Sequence, residues 1–228
     1  MTTLNIFSTN AMRSAMSELI TTFEHTSGNT LSIGWSTTNQ TLSRIQNGET
    51  ADMVIATGPG IDELTKQGRI VPGSRVELGS TLIGLGLRAG APKPDISSVQ
   101  AFTRALLAAK SITYTTLGQS GMHFEEVIKR LGIADQLQPK FRVIPGGLVG
   151  ELVVRGEAEL GVQMLPEIFA VKGFELAGPF PPELQQVNTF ATAILTGTQC
   201  ADTAKSFIQF LTTPAAVNAL KTGGFNTP

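Results

Sequence analysis

The stretch NIFSTNAMRSAMSELITTFEHTSG, residues 5–28, passes from an apolar strand into a helix across three small polar residues, Ser8, Thr9 and Asn10. LNIFS (4–8) reads as the strand. AMRSAMSELITTFEHTSG (11–28) sets Met12, Met16, Leu19, Ile20 and Phe23 at helical spacing and closes at Gly28. A strand running straight into a helix is half of a βα repeat, and the same order returns twice. TLSIGW (30–35) is followed by a helix over 38–47 that ends at Gly48, and ADMVIAT (51–57) by the helix IDELTKQG (61–68). Three βα units in succession predict a parallel sheet.

Beyond Val71-Pro72-Gly73 lies the long apolar run STLIGLGL (80–87), within which LIGLGL reads as a strand ending at Arg88. The segments ISSVQAFTRALLAAK, SITYTT, SGMHFEEVIKRLG, KFRVIP, GGLVGELVVRG and AELGVQM then alternate helix with strand, so a second βα set begins near residue 82. NTFATAILTG (188–197) reads as a returning strand, and helical segments at Ala201–Leu211 and Pro214–Lys221 finish the chain. No Gly/Ser-rich linker separates the two sets. They are expected to form two compact lobes joined by strands, with the ligand cleft between them.

Composition narrows the function classes. The chain has 228 residues, 41% of them hydrophobic, enough for a sizeable core. Seventeen basic residues against eighteen acidic ones give a net charge of -1, which supports neither a nucleic-acid partner nor an anionic membrane surface. Cys200 is the single cysteine, so there is no intrachain disulfide and no cysteine-rich metal cluster. His25 and His123 fall in different lobes, so no metal is expected, and no phosphate-loop or dinucleotide motif implies a cofactor. No apolar run approaches the ~20 residues of a membrane span. The expected location is periplasmic if a leader preceded this start, and otherwise cytoplasmic.

The residues placed at the strand ends are small, hydroxylic or glycine: Ser8-Thr9-Asn10, Thr37-Thr38-Asn39, Thr57, Ser120-Gly121, Gly146-Gly147, and the amide Gln163. Helix N-termini present unpaired N–H donors and a partial positive charge, and short hydroxyl side chains add donors without obstructing a ligand. That pattern suits a small anion. The same residues are also ordinary helix caps, and the pattern alone leaves both readings open.

NIFSTNAMRSAMSELITTFEHTSG and WSTTNQTLSRIQNGETADMVIATGPGIDELTKQGRIV resemble the opening of the molybdate-binding-protein family of type II periplasmic solute-binding proteins, with Ile45–Ile55 matching its I-x-x-G-x-x-A-D-V-x-I element. The similarity continues through LIGLGLRAGAPKPDI, RLGIADQL and RGEAELGVQ. It implies an α/β Venus-flytrap fold, each lobe a mostly parallel sheet flanked by helices, with residues 1–81 plus 188–228 in one lobe and 82–187 in the other. It also implies a small anionic ligand, an oxyanion or a small organic polycarboxylic acid, and an ABC transporter membrane component as partner. The family's ligand turns map onto Ser8–Ala11 and Thr37–Asn39. Thr38 matches the hydroxyl of the second turn, and its loss is expected to weaken binding without changing the stability of the empty protein. Ala11 stands where the family has a serine, and Gly161-Val162-Gln163-Met164-Leu165 replaces a tyrosine-containing motif. APKPDIS, SGMHF, RLGIADQL, VIPGG and GVQ resemble the sub-branch that includes aconitate isomerase, which implies as an alternative a 1,3-proton shift on an unsaturated tricarboxylate. In that alternative His123 is the candidate base, Glu125 a weaker one, and Arg88 a two-pronged carboxylate clamp. The plainer readings are a hydrogen-bonded surface histidine and an Arg88–Asp95 pair.

Overall fold

The computed structural model describes residues 1–228 as two compact units, Met1–Thr81 with Asn188–Pro228 and Leu82–Val187. In chain order the first unit contributes β1 (Thr3–Thr9), α1 (Arg13–Ser27), β2 (Thr30–Ser36), α2 (Thr38–Gln46), β3 (Met53–Thr57), α3 (Gly58–Lys66) and β4 (Val76–Thr81). The second contains β5 (Ile83–Arg88), α4 (Val99–Ala108), β6 (Ile112–Thr113), α5 (Gln119–Arg130), α6 (Ala134–Leu137), α7 (Gly150–Arg155), β7 (Leu160–Met164), α8 (Leu165–Phe169) and β8 (Phe174–Pro179). The chain then returns to the first unit as β9 (Asn188–Ile194), α9 (Ala201–Leu211) and α10 (Pro214–Thr222).

Local chemistry sets these boundaries. In α1 the buried residues Ala15, Met16, Leu19 and Phe23 recur every three or four positions, and Gly28 ends the helix in a left-handed conformation that glycine adopts without strain. The first sheet has the order β2-β1-β3-β9-β4. β1 pairs parallel with both β2 and β3, while β9 runs against β3 and β4. The second sheet, β6-β7-β5-β8, has β6 parallel to β7 and β5 antiparallel to β7 and β8. Each sheet therefore holds one reversed strand, the first formed after the chain enters that unit.

Within STLIGLGL, β4 ends at Thr81 and β5 starts at Ile83, in different sheets. The run looks continuous because Thr81 and Ile83 are both buried, and burial rather than pairing partner is what apolar sequence reports. One strand assignment changes. KFRVIP supplies only isolated bridges, Phe141 to Ile112 and Ile144 to Thr115.

The core of the second unit gathers Phe102, Phe124, Phe180 and Tyr114 with the apolar faces of β5 and β7. On the other side of that sheet Phe174 lies flat over two glycines: a Cβ on Gly86 or Gly150 would stand 2.3 or 2.4 Å from its ring. Close to the point of entry, the Gln185 amide takes the place of a neighbouring strand. Its oxygen accepts the Ile83 N–H at 3.0 Å and its nitrogen donates to the Ile83 carbonyl at 2.9 Å. Gln185→Ala removes the partner of a buried backbone N–H, and urea unfolding of the full chain is expected to show a loss of about 1–3 kcal/mol.

Candidate functional site

In the first unit, register decides which residues meet. Ser8 lies opposite Trp35 on one side and Ile55 on the other, and Thr9 lies opposite Ser36, so β1, β2 and β3 end together at one edge of the sheet. Thr57 pairs with Phe190 and Thr81 with Asn188, which puts the chain's exit and return on the same edge. Ser8 is 0% and Thr9 4% exposed, and neither hydroxyl has a hydrogen-bond partner. Thr9 occupies the cap position of the short turn Asn10–Met12, yet its side chain caps nothing. Buried polar atoms are nearly always paired, so two consecutive unpaired hydroxyls mark a place for a further acceptor or donor. Half-buried Asn10 and buried Ala11 continue the same turn.

At the second turn the capping reading holds. Thr37 accepts the Gln40 N–H at 3.2 Å while the Gln40 side chain accepts the Thr37 N–H at 2.9 Å, a reciprocal capping box. Thr38 is buried, and its hydroxyl oxygen accepts the Thr57 N–H at 3.2 Å. The expectation that Thr38 serves binding alone is corrected here, because it ties α2 to the start of α3. Asn39 follows in the first turn of α2, and buried Thr57 precedes α3 without capping it through its side chain.

In the second unit, Ile83 pairs with Met164 and Gly84 with Gln163, so the C-terminal end of β7 meets the entering end of β5. Gln163 is 0% exposed. Its amide oxygen accepts the Val149 N–H at 3.0 Å and its nitrogen donates to the Gly147 carbonyl at 2.9 Å. Gln163 thus acts on the loop Gly146-Gly147-Leu148 and fixes where its backbone points. The helix α5 starts at Gln119 with Gly118 as its cap, one residue before the expected start at Ser120. Ser120 is buried in its first turn, and a Cβ on Gly121 would lie 1.8 Å from the Thr115 carbonyl oxygen. Glycine at 121 is therefore needed for the helix to pack on the strand end.

The candidates for the proton shift have other partners. His123 Nε2 lies 2.7 Å from the Leu184 carbonyl oxygen, and the half-buried ring packs near Phe180, the plainer of the two readings. Glu125 accepts the Tyr114 hydroxyl at 2.9 Å. Burial, reinforced by that carboxylate, pushes the Tyr114 phenol above its usual range.

Arg88 does not join the other candidates. It stands four residues along β5 from Gly84, the partner of Gln163, or about 13 Å at the rise of an extended strand. Because β5 runs against β7, its C-terminal end falls at the N-terminal end of β7. Arg88 donates to the Val154 carbonyl at 3.2 Å. It forms no pair with Asp95, whose carboxylate instead accepts the Ser97 backbone N–H and hydroxyl, bonds that lower its pKa.

One group was missed by sequence reasoning. Glu167, in the first turn of α8, accepts the Met164 N–H at 3.2 Å. The residue is half-buried but its carboxyl is enclosed, and desolvation pushes its pKa up to about 7, opposed only by that backbone bond. The signal was present as Leu165-Pro166-Glu167 after a strand, proline and then an acid at the opening of a helix.

A family model described as bacterial extracellular solute-binding protein matches residues 4–226. Aconitate isomerase from a Pseudomonas species is 32% identical over 229 residues, covering 98% of this chain and 87% of the relative. The periplasmic molybdate-binding protein of Azotobacter vinelandii aligns with a TM-score of 0.82 at 21% identity, over 99% of both chains. The sulfate-binding protein of Mycobacterium tuberculosis aligns at 0.75 and 17% identity, covering 100% of this chain and 87% of its own. At these identities the two structures establish a common fold.

Two outcomes follow from the geometry. Thr38→Val leaves the buried Thr57 N–H without an acceptor, so the empty protein is expected to lose about 1–3 kcal/mol in denaturant unfolding. The second concerns Glu167, whose folded pKa of about 7 lies above its ordinary 4.5. Its contribution is full below pH ~4.5 and is lost as pH rises through ~7. Between those limits the wild type is expected to lose on the order of 2 kcal/mol more stability than Glu167→Gln, measured by unfolding across that range.

Proposed function

Since the chain belongs to the bacterial extracellular solute-binding proteins, whose model spans residues 4–226, we propose that it captures a small anion outside the cytoplasmic membrane and delivers it to an ABC-type transporter. The observation that carries this reading is the pair of buried, unpartnered hydroxyls, Ser8 and Thr9. In the proposed complex they and the backbone N–H groups of Asn10 and Ala11 donate to the anion, with Thr37, Asn39 and Thr57 around it. In the second unit, the α5 N-terminus at Ser120-Gly121 and the Gly146-Gly147 loop held by Gln163 are the corresponding candidate ligand contacts. Neutral donors without a cation suit a compact tetrahedral oxyanion, whose charge is spread over four acceptors. The names of the molybdate-binding and sulfate-binding proteins agree with that class.

The 32% identical aconitate isomerase favours a second reading, an enzyme acting on an unsaturated tricarboxylate. Here a candidate for the proton shift beside His123 is Glu167, an enclosed carboxyl in the first turn of the helix that follows the strand end carrying Gln163, with a pKa raised by burial to about 7.

A thermal-shift series with molybdate, tungstate, sulfate, phosphate, citrate, and cis- and trans-aconitate tests both. A ligand at a hundred times its dissociation constant adds about 2.7 kcal/mol, a rise of roughly 5–10 °C for a chain of this size. An oxyanion is expected to give that rise, and Ser8→Ala with Thr9→Val to abolish it without lowering the melting point of the empty protein. Stabilisation by tricarboxylates alone, with interconversion of the aconitates followed by absorbance and lost in Glu167→Gln, would establish the enzyme instead. No response to any of the seven removes the anion reading.

A further inference from the structure

At the end of the second sheet remote from Gln163, the Leu82–Val187 unit contains a cavity of ≈ 410 Å³, within the size range of small-molecule sites. Its wall is apolar, formed by Leu87, Pro92, Ala105, Ala109, Val153 and Leu160, and it exists because small alanine and proline side chains leave the end of the sheet uncovered. Arg88 stands at its rim. The guanidinium is seated against the end of α7, donating from Nη2 to the Val154 carbonyl. Gly156, in a left-handed conformation with φ 79, leaves it room: a Cβ there would come within 3.2 Å of Nη2. No carboxylate pairs with Arg88, since Asp95 is engaged by Ser97. An arginine has five N–H donors in a planar fork, and only one is used.

We propose that this cavity is a second binding site, separate from the strand-end anion site, for a small monocarboxylic acid with an apolar tail. The carboxylate meets the open edge of Arg88 in a two-pronged contact, and the tail covers the alanine-lined wall. The other charge on the rim sets the valence of the ligand. Glu159 is held by the Lys110 N–H at 2.6 Å and is not neutralised by it, so one positive and one negative group flank the cavity. One added carboxylate is matched by Arg88, and a second is repelled by Glu159. This chemistry is opposite to that of Ser8 and Thr9, which offer neutral donors to a compact, fully polar ion.

Isothermal titration of the full chain with hexanoate, 1-hexanol and adipate tests the assignment. Hexanoate is expected to bind saturably, and 1-hexanol and adipate at least tenfold more weakly. Arg88→Ala is expected to weaken hexanoate at least tenfold and leave 1-hexanol unchanged, while Ser8→Ala with Thr9→Val leaves hexanoate unchanged. Ala105→Leu fills the cavity without touching Arg88 and is expected to abolish binding. Absence of saturable hexanoate binding to the wild type, wild-type affinity in Arg88→Ala, or retained binding in Ala105→Leu would each overturn the proposal.

Discussion

The parallel pairing of β1 between β2 and β3 is the constraint on which the rest of the molecule depends. Parallel strands finish at the same edge of a sheet, and each must be followed by a crossover, here a helix, before the next can pair. That geometry collects three turns, Ser8–Ala11, Ser36–Thr38 and Thr57–Gly58, along one edge and aims the N-terminal N–H groups of their helices beyond it. The reversed strand β9 begins on this edge and β4 ends on it, so the chain also crosses between its two units there. Register brings these turns and the crossing to the same edge.

Neutral polar groups hold this arrangement in place. The ion pairs, such as Arg44–Glu49 and Arg155–Glu157, join partly or largely exposed side chains and contribute little. The interior relies on amides and hydroxyls that satisfy backbone groups directly. Gln163 holds the 147–149 loop from both ends of its side chain, Gln185 does the same for Ile83, and Thr38 accepts from Thr57. Within such an interior the unpaired hydroxyls of Ser8 and Thr9 cost free energy in the empty protein, and a ligand that accepts from them removes that cost. Glu167 departs from the pattern as an enclosed carboxyl whose charge is disfavoured by its surroundings.

Local pattern carried some of these assignments and failed on others for identifiable reasons. The buried face of α1, the cap at Thr37 and the helix Ala201–Leu211 were legible because each is decided by residues three or four positions apart. The antiparallel direction of β5 was not, because an apolar run looks the same whichever way its neighbours pair with it. Arg88, the carboxylate clamp of the isomerase alternative, ends an apolar strand, and the antiparallel direction of β5 carries it to the end of the sheet away from Gln163. His123 sits just inside the start of α5, yet the Leu184 carbonyl, sixty-one residues away in sequence, takes its Nε2.

By itself the sequence determined the alternation of strand and helix, the small polar turns that close each strand, and the family to which the chain belongs. Those are properties of spacing along one segment, or of many segments in fixed order. Only the tertiary structure decided which hydroxyls are already partnered, which strands are reversed, and which charged side chains stand near one another. These depend on register and strand direction between segments distant in sequence, where a shift of one residue moves a side chain to the opposite face and a reversal moves it to the opposite end. Ser8, Thr9, Thr37 and Thr38 look alike in the sequence. The first two are left without a partner and the last two are bound to backbone N–H groups, because Gln40 and Thr57 approach one turn and no donor or acceptor of the protein approaches the other.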